Sequence, residues 1–208
     1  MLAAAIGLSA QEEGWSGALK FGGGPVSGSA KAVTGDAAFS FSPQFEATYS
    51  FNKSSAWVFG AGYRFFPGDQ TMISYIPTPQ VAGQTYEARI RKPEAKGLEL
   101  TSLYRHTFGE SFFVQGGLRI GLYKTTFRDT GSRVTYTLVS NRITPTTVVT
   151  IQDEFEKKTT SVGLLAGLGY QLNRNFSVEV NAFTVRLGNP LAGTNTSVAS
   201  EVNFGIRF

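Results

Sequence analysis

A single histidine limits the acid–base chemistry open to this sequence. His106 lies in YRHTFGES, residues 104–111, with Ser102 and Ser111 nearby in the chain and no cysteine among 208 residues. A serine becomes a useful nucleophile only when a base lies within about 2.6–3.2 Å and a third group orients that base. The stretch offers closeness in sequence alone, and His106 shares its phase with Phe108, so it reads as a histidine among interfacial aromatics. The scattered carboxylates have no recognisable ligand spacing, which argues against a metal centre. FGGGP at 21–25 has no helix behind it to build a phosphate site and reads as a turn. No catalytic, cofactor-binding or metal-ligating residue is expected, no cofactor, and no enzyme activity.

Eight charges carry more information. Glu46, Arg64, Glu99, Arg105, Arg119, Glu179, Glu201 and Arg207 all fall on the polar phase of alternating segments, four acids against four bases, among glycines and small polar residues. Such a set neutralises itself. Its simplest use is structural, as ion pairs that fix strand register inside a closed space; a gated proton or ion path is the other reading. The net charge of +4 is too small and dispersed for a nucleic-acid partner.

The elements that hold these charges are strands. From Phe39 to Phe51 the odd positions read Phe, Phe, Pro, Phe, Ala, Tyr, Phe, and the even positions Ser, Ser, Gln, Glu, Thr, Ser. After Asn52-Lys53-Ser54-Ser55 the pattern resumes with Trp57, Phe59, Ala61, Tyr63 and Phe65, which is a hairpin by spacing and turn chemistry. Eight strands follow from the alternation, near 15–23, 38–51, 56–66, 97–108, 112–127, 159–172, 176–187 and 197–208. In the seventh, the apolar phase moves from even (Phe176, Val178, Val180) to odd (Phe183, Val185, Leu187), which suggests a bulge near Ala182. Connections alternate between short (52–55, 109–111, 173–175) and long (24–37, 67–96, 128–158, 188–196). An even strand count with short turns at one end and long loops at the other predicts an all-β fold, an eight-stranded antiparallel up-and-down transmembrane β-barrel.

Which face is inside follows from size. An eight-stranded barrel has room only for side chains, so small residues and paired charges fit within, and the large aromatics do not. Lipid then receives the aromatic face. Phe51, Trp57, Phe108, Phe112 and Phe176 gather at the short-turn end, as an interfacial girdle would. The first ten residues, MLAAAIGLSA, look like the end of a secretory signal peptide, leaving 11–208 as the barrel domain. Loop 67–96 is Pro-rich and ends basic (Arg89, Arg91, Lys92, Lys96), a solvated loop or a contact for lipopolysaccharide or another partner. In loop 128–158, VTYTLV (134–139) and TTVVTI (146–151) predict a β-ribbon rising above the membrane, whose edge could accept a partner strand.

The chain closes on EVNFGIRF, residues 201–208. This resembles the C-terminal signature of bacterial outer-membrane β-barrels, with Glu201 at the polar start, Phe204 on the same apolar phase, and Ile206 and Phe208 at its two hydrophobic positions. The chain as a whole resembles the small outer-membrane barrel family that includes the OmpA transmembrane domain, OmpX and the OmpW type. The resemblance implies residence in the cell outer membrane of a Gram-negative-type envelope, contact with outer-membrane lipid and lipopolysaccharide, and recognition of Phe204, Ile206 and Phe208 by the barrel-assembly machinery. Outer-membrane lipid A deacylases and acyltransferases are barrels with a Ser–His site, a role for which His106 is the sole candidate base. Three functions stay open: a structural or surface-interaction barrel with a filled lumen and long extracellular loops; a narrow channel for small hydrophobic or ionic solutes, as the OmpW type would allow; and a soluble lipocalin-like binder.

Overall fold

The computed structural model of the chain describes residues 13–28, 39–77, 80–140 and 142–208. The expected signal-peptide remnant, 1–10, lies outside the described residues. Among the described residues nine strands follow in order: β1 (Gly14–Gly28), β2 (Phe39–Asn52), β3 (Ser55–Pro67), β4 (Thr71–Ser74), β5 (Thr85–Phe108), β6 (Phe112–Val139), β7 (Arg142–Gln171), β8 (Phe176–Gly188) and β9 (Thr194–Arg207). All pairings are antiparallel, in the order β3-β2-β1-β9-β8-β7-β6-β5-β4, and β3 also pairs with β5. That last pairing closes an eight-stranded ring and leaves β4 as a short addition on β5 outside it. Closure satisfies the backbone groups that an open sheet edge would leave bare.

The short turns have the chemistry their lengths require. Asn52 Oδ1 accepts the Ser54 amide at 2.9 Å, Gly109 takes a left-handed conformation with φ +62°, and Asn173 Oδ1 accepts the amides of Asn175 and Phe176 at 2.8 and 2.9 Å. At the other end the elements run far longer than the alternating apolar pattern. β5 begins at Thr85, β6 continues past residue 124 to Val139, and β7 returns beside it from Arg142, so three strands leave the ring as one laddered sheet. The expected ribbon at 128–158 is present. The segment 85–96, read as loop, is its third strand, and FGGGP lies inside β1 instead of a turn. Proline and charge density pointed to loop there, but Pro93 faces Phe127 across the ladder and its neighbours pair in unbroken register.

Ring strands present their large apolar residues outward. Trp15, Phe21, Phe45, Trp57, Leu98, Leu118, Leu164 and Phe204 are among many such side chains that are exposed. The girdle candidates Phe51, Trp57, Phe108, Phe112 and Phe176 are exposed too, around the short turns. The ring is therefore inside-out relative to a water-soluble barrel, which encloses its apolar face.

Within the lumen the structure corrects one expectation. β8 keeps one register with β9 from Phe176 to Gly188 and shows no shift against β7, so there is no bulge at Ala182. The phase change has another cause. Phe176 and Val180 face out near the turns, whereas Phe183, Val185 and Leu187 face in and are at most 2% exposed. With Val26, Val58, Phe66, Ala95, Leu103, Tyr123, Phe127, Leu165 and Ala199 they form a buried apolar cluster, and Phe155 of β7 packs against it. The lumen has two compartments, a polar network that reaches the turns and an apolar cluster that lies mostly towards the long strands.

Candidate functional site

The polar compartment is one hydrogen-bonded network. Arg64 of β3 is its most connected member: Nε donates to Glu99 Oε1 of β5 at 2.8 Å, one terminal nitrogen to Ser40 Oγ of β2 at 3.0 Å, and the other to Glu201 Oε2 of β9 at 2.5 Å. Its guanidinium also lies 4.6 Å from the centroid of the Phe183 ring of β8. Arg119 of β6 bonds Glu99 and donates to the Tyr123 hydroxyl at 2.6 Å, and stacks on the same ring at 3.9 Å. Phe183 thus forms the boundary between the compartments, its ring faced by two arginines.

Nearer the turns, Arg105 of β5 donates to Glu46 of β2 at 3.0 Å, to Gln115 of β6 at 2.8 Å and to Glu179 of β8 at 3.3 Å, and lies 4.4 Å from the Phe113 ring. Lys20 of β1 pairs with Glu46 and, at 2.6 Å, with Glu179. Asn181 joins the two groups: its oxygen accepts Gln115 Nε2 at 3.0 Å and its nitrogen reaches Glu201 at 3.5 Å.

Of the eight charges singled out by parity, Glu46, Arg64, Glu99, Arg105, Arg119, Glu179 and Glu201 are buried together here. Arg207 is not among them. It is half-buried at the turn-end mouth, where it lines an open cavity of about 710 Å³ with Lys53, Arg105, Arg174 and Phe113. Its place is taken by Lys20, 4% exposed, so four acids still meet four bases. The signal for Lys20 was present: Trp15, Leu19 and Phe21 occupy the odd phase of a strand whose even phase carries Ser16, Ala18 and Lys20.

β7 supplies no charge to this network, and its glycines supply space. A Cβ on Gly167 would collide with the Asn181 amide, and one on Gly169 with the Phe113 ring. Burying an ion costs several kcal/mol unless it is paired, so the small residues of β7 let the long ones of β5, β6 and β8 reach their partners.

His106 does not meet either serine considered for it. Its Nδ1 is 3.4 Å from Ser55 Oγ, which also accepts the Tyr104 hydroxyl at 3.0 Å, and its ring packs edge-on to Phe108. Ser111 instead offers its backbone carbonyl to the Gln171 amide at 2.8 Å. The Ser55–His106 separation exceeds the reach of an activated pair, and no carboxylate among the described residues bonds the imidazole. Nor, among the described residues, is there a group of three or more side chains suited to a metal.

In the emergent sheet the basic residues are largely occupied. Arg91 forks onto Asp129 with bonds of 2.7 and 2.6 Å. Arg89 bonds Glu87 at 2.7 Å and Asp153 at 3.1 Å, and Arg133 bonds Glu87 at 2.6 Å. Hydrogen bonds from Arg89 and then Arg133 hold the Glu87 carboxyl below its usual value. The contribution of these pairs is present above the ordinary carboxylate range and fades as the pH falls through the lowered value.

No protein-family model matches the sequence, and no curated protein does. Solved structures similar to it include Ail, the attachment invasion locus protein of Yersinia pestis, at 16% identity and TM-score 0.49 over 95% of this chain and 100% of that one. Neisserial surface protein A is similar at 15% identity and TM-score 0.46 over 94% and 96%. The N-terminal β-barrel domain of Pseudomonas aeruginosa OprF is similar at 12% identity and TM-score 0.42 over 95% and 100%. At these values the likenesses carry no conclusion about this chain. The closed ring, the outward apolar wall and the filled lumen are properties of its own geometry.

The network predicts a specific vulnerability. Arg64→Ala leaves Glu201 without its ion-pair partner and Glu99 with Arg119 alone, and should lower stability by about 3–5 kcal/mol, read as urea unfolding of the micelle-bound chain by tryptophan fluorescence. Lys53→Ala, at an exposed turn, should change it little. Equal unfolding of both variants would contradict the network's structural role.

Proposed function

We propose that the chain is an integral outer-membrane β-barrel, closed to solutes, that carries a stiff β-sheet platform beyond the membrane for surface interaction. The observation that carries this reading is the divergence of the two ends. Below, the ring is filled by a neutralised network capped by apolar side chains; above, β5, β6 and β7 leave it as one sheet held by cross-strand ion pairs. An element built so rigidly outside a closed ring suits presentation of a surface.

The edge of β7 supports the same reading. Its ladder with β8 covers only Leu165–Gln171. Just above, hydroxyls substitute for the ladder, with Thr184 Oγ1 accepting the Leu164 amide at 3.1 Å and Ser161 Oγ the Arg186 amide at 2.9 Å. In the ribbon above, up to Arg142 at its tip, β7 has a ladder with β6 alone among the described residues, and such an edge can accept a strand from a partner. A soluble lipocalin-like carrier would require the faces to be exchanged. A channel would require an open path past Phe66, Phe183 and Leu187, which are buried against one another's cluster.

At the closing seam, Phe208 donates its amide to Gly17 at 2.9 Å, and its ring covers Gly17, where a Cβ would meet it at 2.7 Å, and reaches Phe45 with centroids 6.4 Å apart. We assign Phe204, Ile206 and Phe208 as the assembly signal and the turn-end aromatics as the interfacial girdle.

In planar bilayers the folded chain should show no reproducible unitary conductance; steady single-channel steps that disappear on substituting lumen residues would overturn the closed-barrel reading. Deleting Phe208 should reduce assembly in the outer membrane of cells far more than refolding into detergent, measured by heat-modifiable gel mobility. Equal losses in the two settings would reduce Phe208 to a packing role.

A further inference from the structure

Lys96, Lys124 and Lys158 stand side by side on the outer wall. Lys96 is the register partner of Lys124, and Lys124 of Lys158, so β5, β6 and β7 set like charges directly opposite one another. Such pairs destabilise a sheet, and a row of three calls for an anion. Glu94 bonds Lys96 at 2.8 Å and Glu156 bonds Lys124, whereas no acid among the described residues forms an ion pair with Lys158. Farther up the same face, Lys92 and Arg128 are again register partners, with Glu154 on Arg128 at 3.3 Å. Five cations thus share three carboxylates.

The row sits where the apolar wall ends. On β6 the outward residues run Phe112, Val114, Gly116, Leu118, Ile120 and Leu122, and the next is Lys124. About ten steps of ~3.4 Å at a tilt near 45° give a height of roughly 24 Å, the thickness of a barrel's lipid-facing band. Directly below the lysines, Tyr63, Leu98 and Leu122 are successive register partners. Together with the three lysines they line an outward groove of about 530 Å³.

We propose that this groove binds a bisphosphorylated, acylated glycolipid of the outer leaflet, with phosphates on the lysine row and acyl chains along Tyr63, Leu98 and Leu122. The width of the row suits this headgroup. Two strand spacings of about 4.8 Å separate the backbones of Lys96 and Lys158, roughly 10 Å in all, and three flexible ammonium groups along that span can hold two phosphates. The inference rests on the reading that the barrel spans the outer membrane with its long strands outside.

The test uses the full chain folded into phosphatidylcholine nanodiscs and titrated with bisphosphorylated lipid A, with bound lipid counted by native mass spectrometry. Affinity should fall about tenfold or more in Lys124→Glu/Lys158→Glu and by a smaller factor in Lys124→Ala/Lys158→Ala. Lys53→Glu, at the opposite end, should bind as the wild type does, and lipid A stripped of both phosphates should bind weakly. Equal retention by wild type and both lysine variants would overturn the proposal, as would phosphatidylglycerol competing as well as lipid A. Failure of the wild type to insert with heat-modifiable mobility would instead remove the membrane reading beneath it. Insertion with lysine-independent lipid binding would remove only the site.

Discussion

Arg64 meets four neighbours from four other strands: Ser40 of β2, Glu99 of β5, Glu201 of β9 and the ring of Phe183 on β8. That one guanidinium shows the constraint on which the molecule depends. An eight-stranded ring is too narrow for bulk water to solvate charges in its centre, so every lumen charge must find its partner on another strand. Satisfying that demand fixes register around the ring more tightly than backbone ladders alone, because a slip of one residue would turn each charge out to the apolar side. The glycines of β7 belong to the same solution, since they open the volume through which Asn181 and Phe113 approach.

The two lumen compartments divide the labour. Ion pairs and amides fill the turn end, and a dry cluster of Phe, Val, Leu and Tyr fills the region below the emergent sheet. The arginine pair on Phe183 joins them, allowing charged groups to end against an aromatic face without an unfilled gap. Above, the same pairing logic moves outside the ring, where Arg91–Asp129 ties β5 to β6 and Arg89–Asp153 ties β5 to β7 in the absence of a surrounding barrel. One chain thus uses cross-strand ion pairs twice, buried to fill and exposed to stiffen.

Much of the ring was legible because period two identifies faces directly. Glu46, Arg64, Glu99, Arg105, Arg119, Glu179 and Glu201 were all chosen by parity, and the structure buries them in one network. Period two does not report depth along a strand, and the misreadings follow from that. Phe183, Val185 and Leu187 looked like a phase error because apolar residues serve as lipid wall in the lower ring and as lumen filling in the upper. Lys20 is hidden in a strand whose alternation is diluted by small residues, and Arg207 lies on the correct phase but too near the mouth to be enclosed. At 85–96 the charges that suggested a solvated loop are cross-strand partners, a relation visible only once β5 lies beside β6.

In this fold the aromatic face meets lipid and the charged face meets itself. The absence of cysteine makes a direct measurement simple, since any introduced thiol is unique. Phe204 of the ring and Val148 of the emergent sheet are similarly exposed, at 60% and 66%, yet the account places them in different solvents. Spin labels on Phe204→Cys and Val148→Cys in lipid vesicles should relax in opposite ways, the first with dissolved oxygen and the second with a water-soluble nickel chelate. Chelate-dominated relaxation at both positions would show that the aromatic wall faces water and would contradict the account.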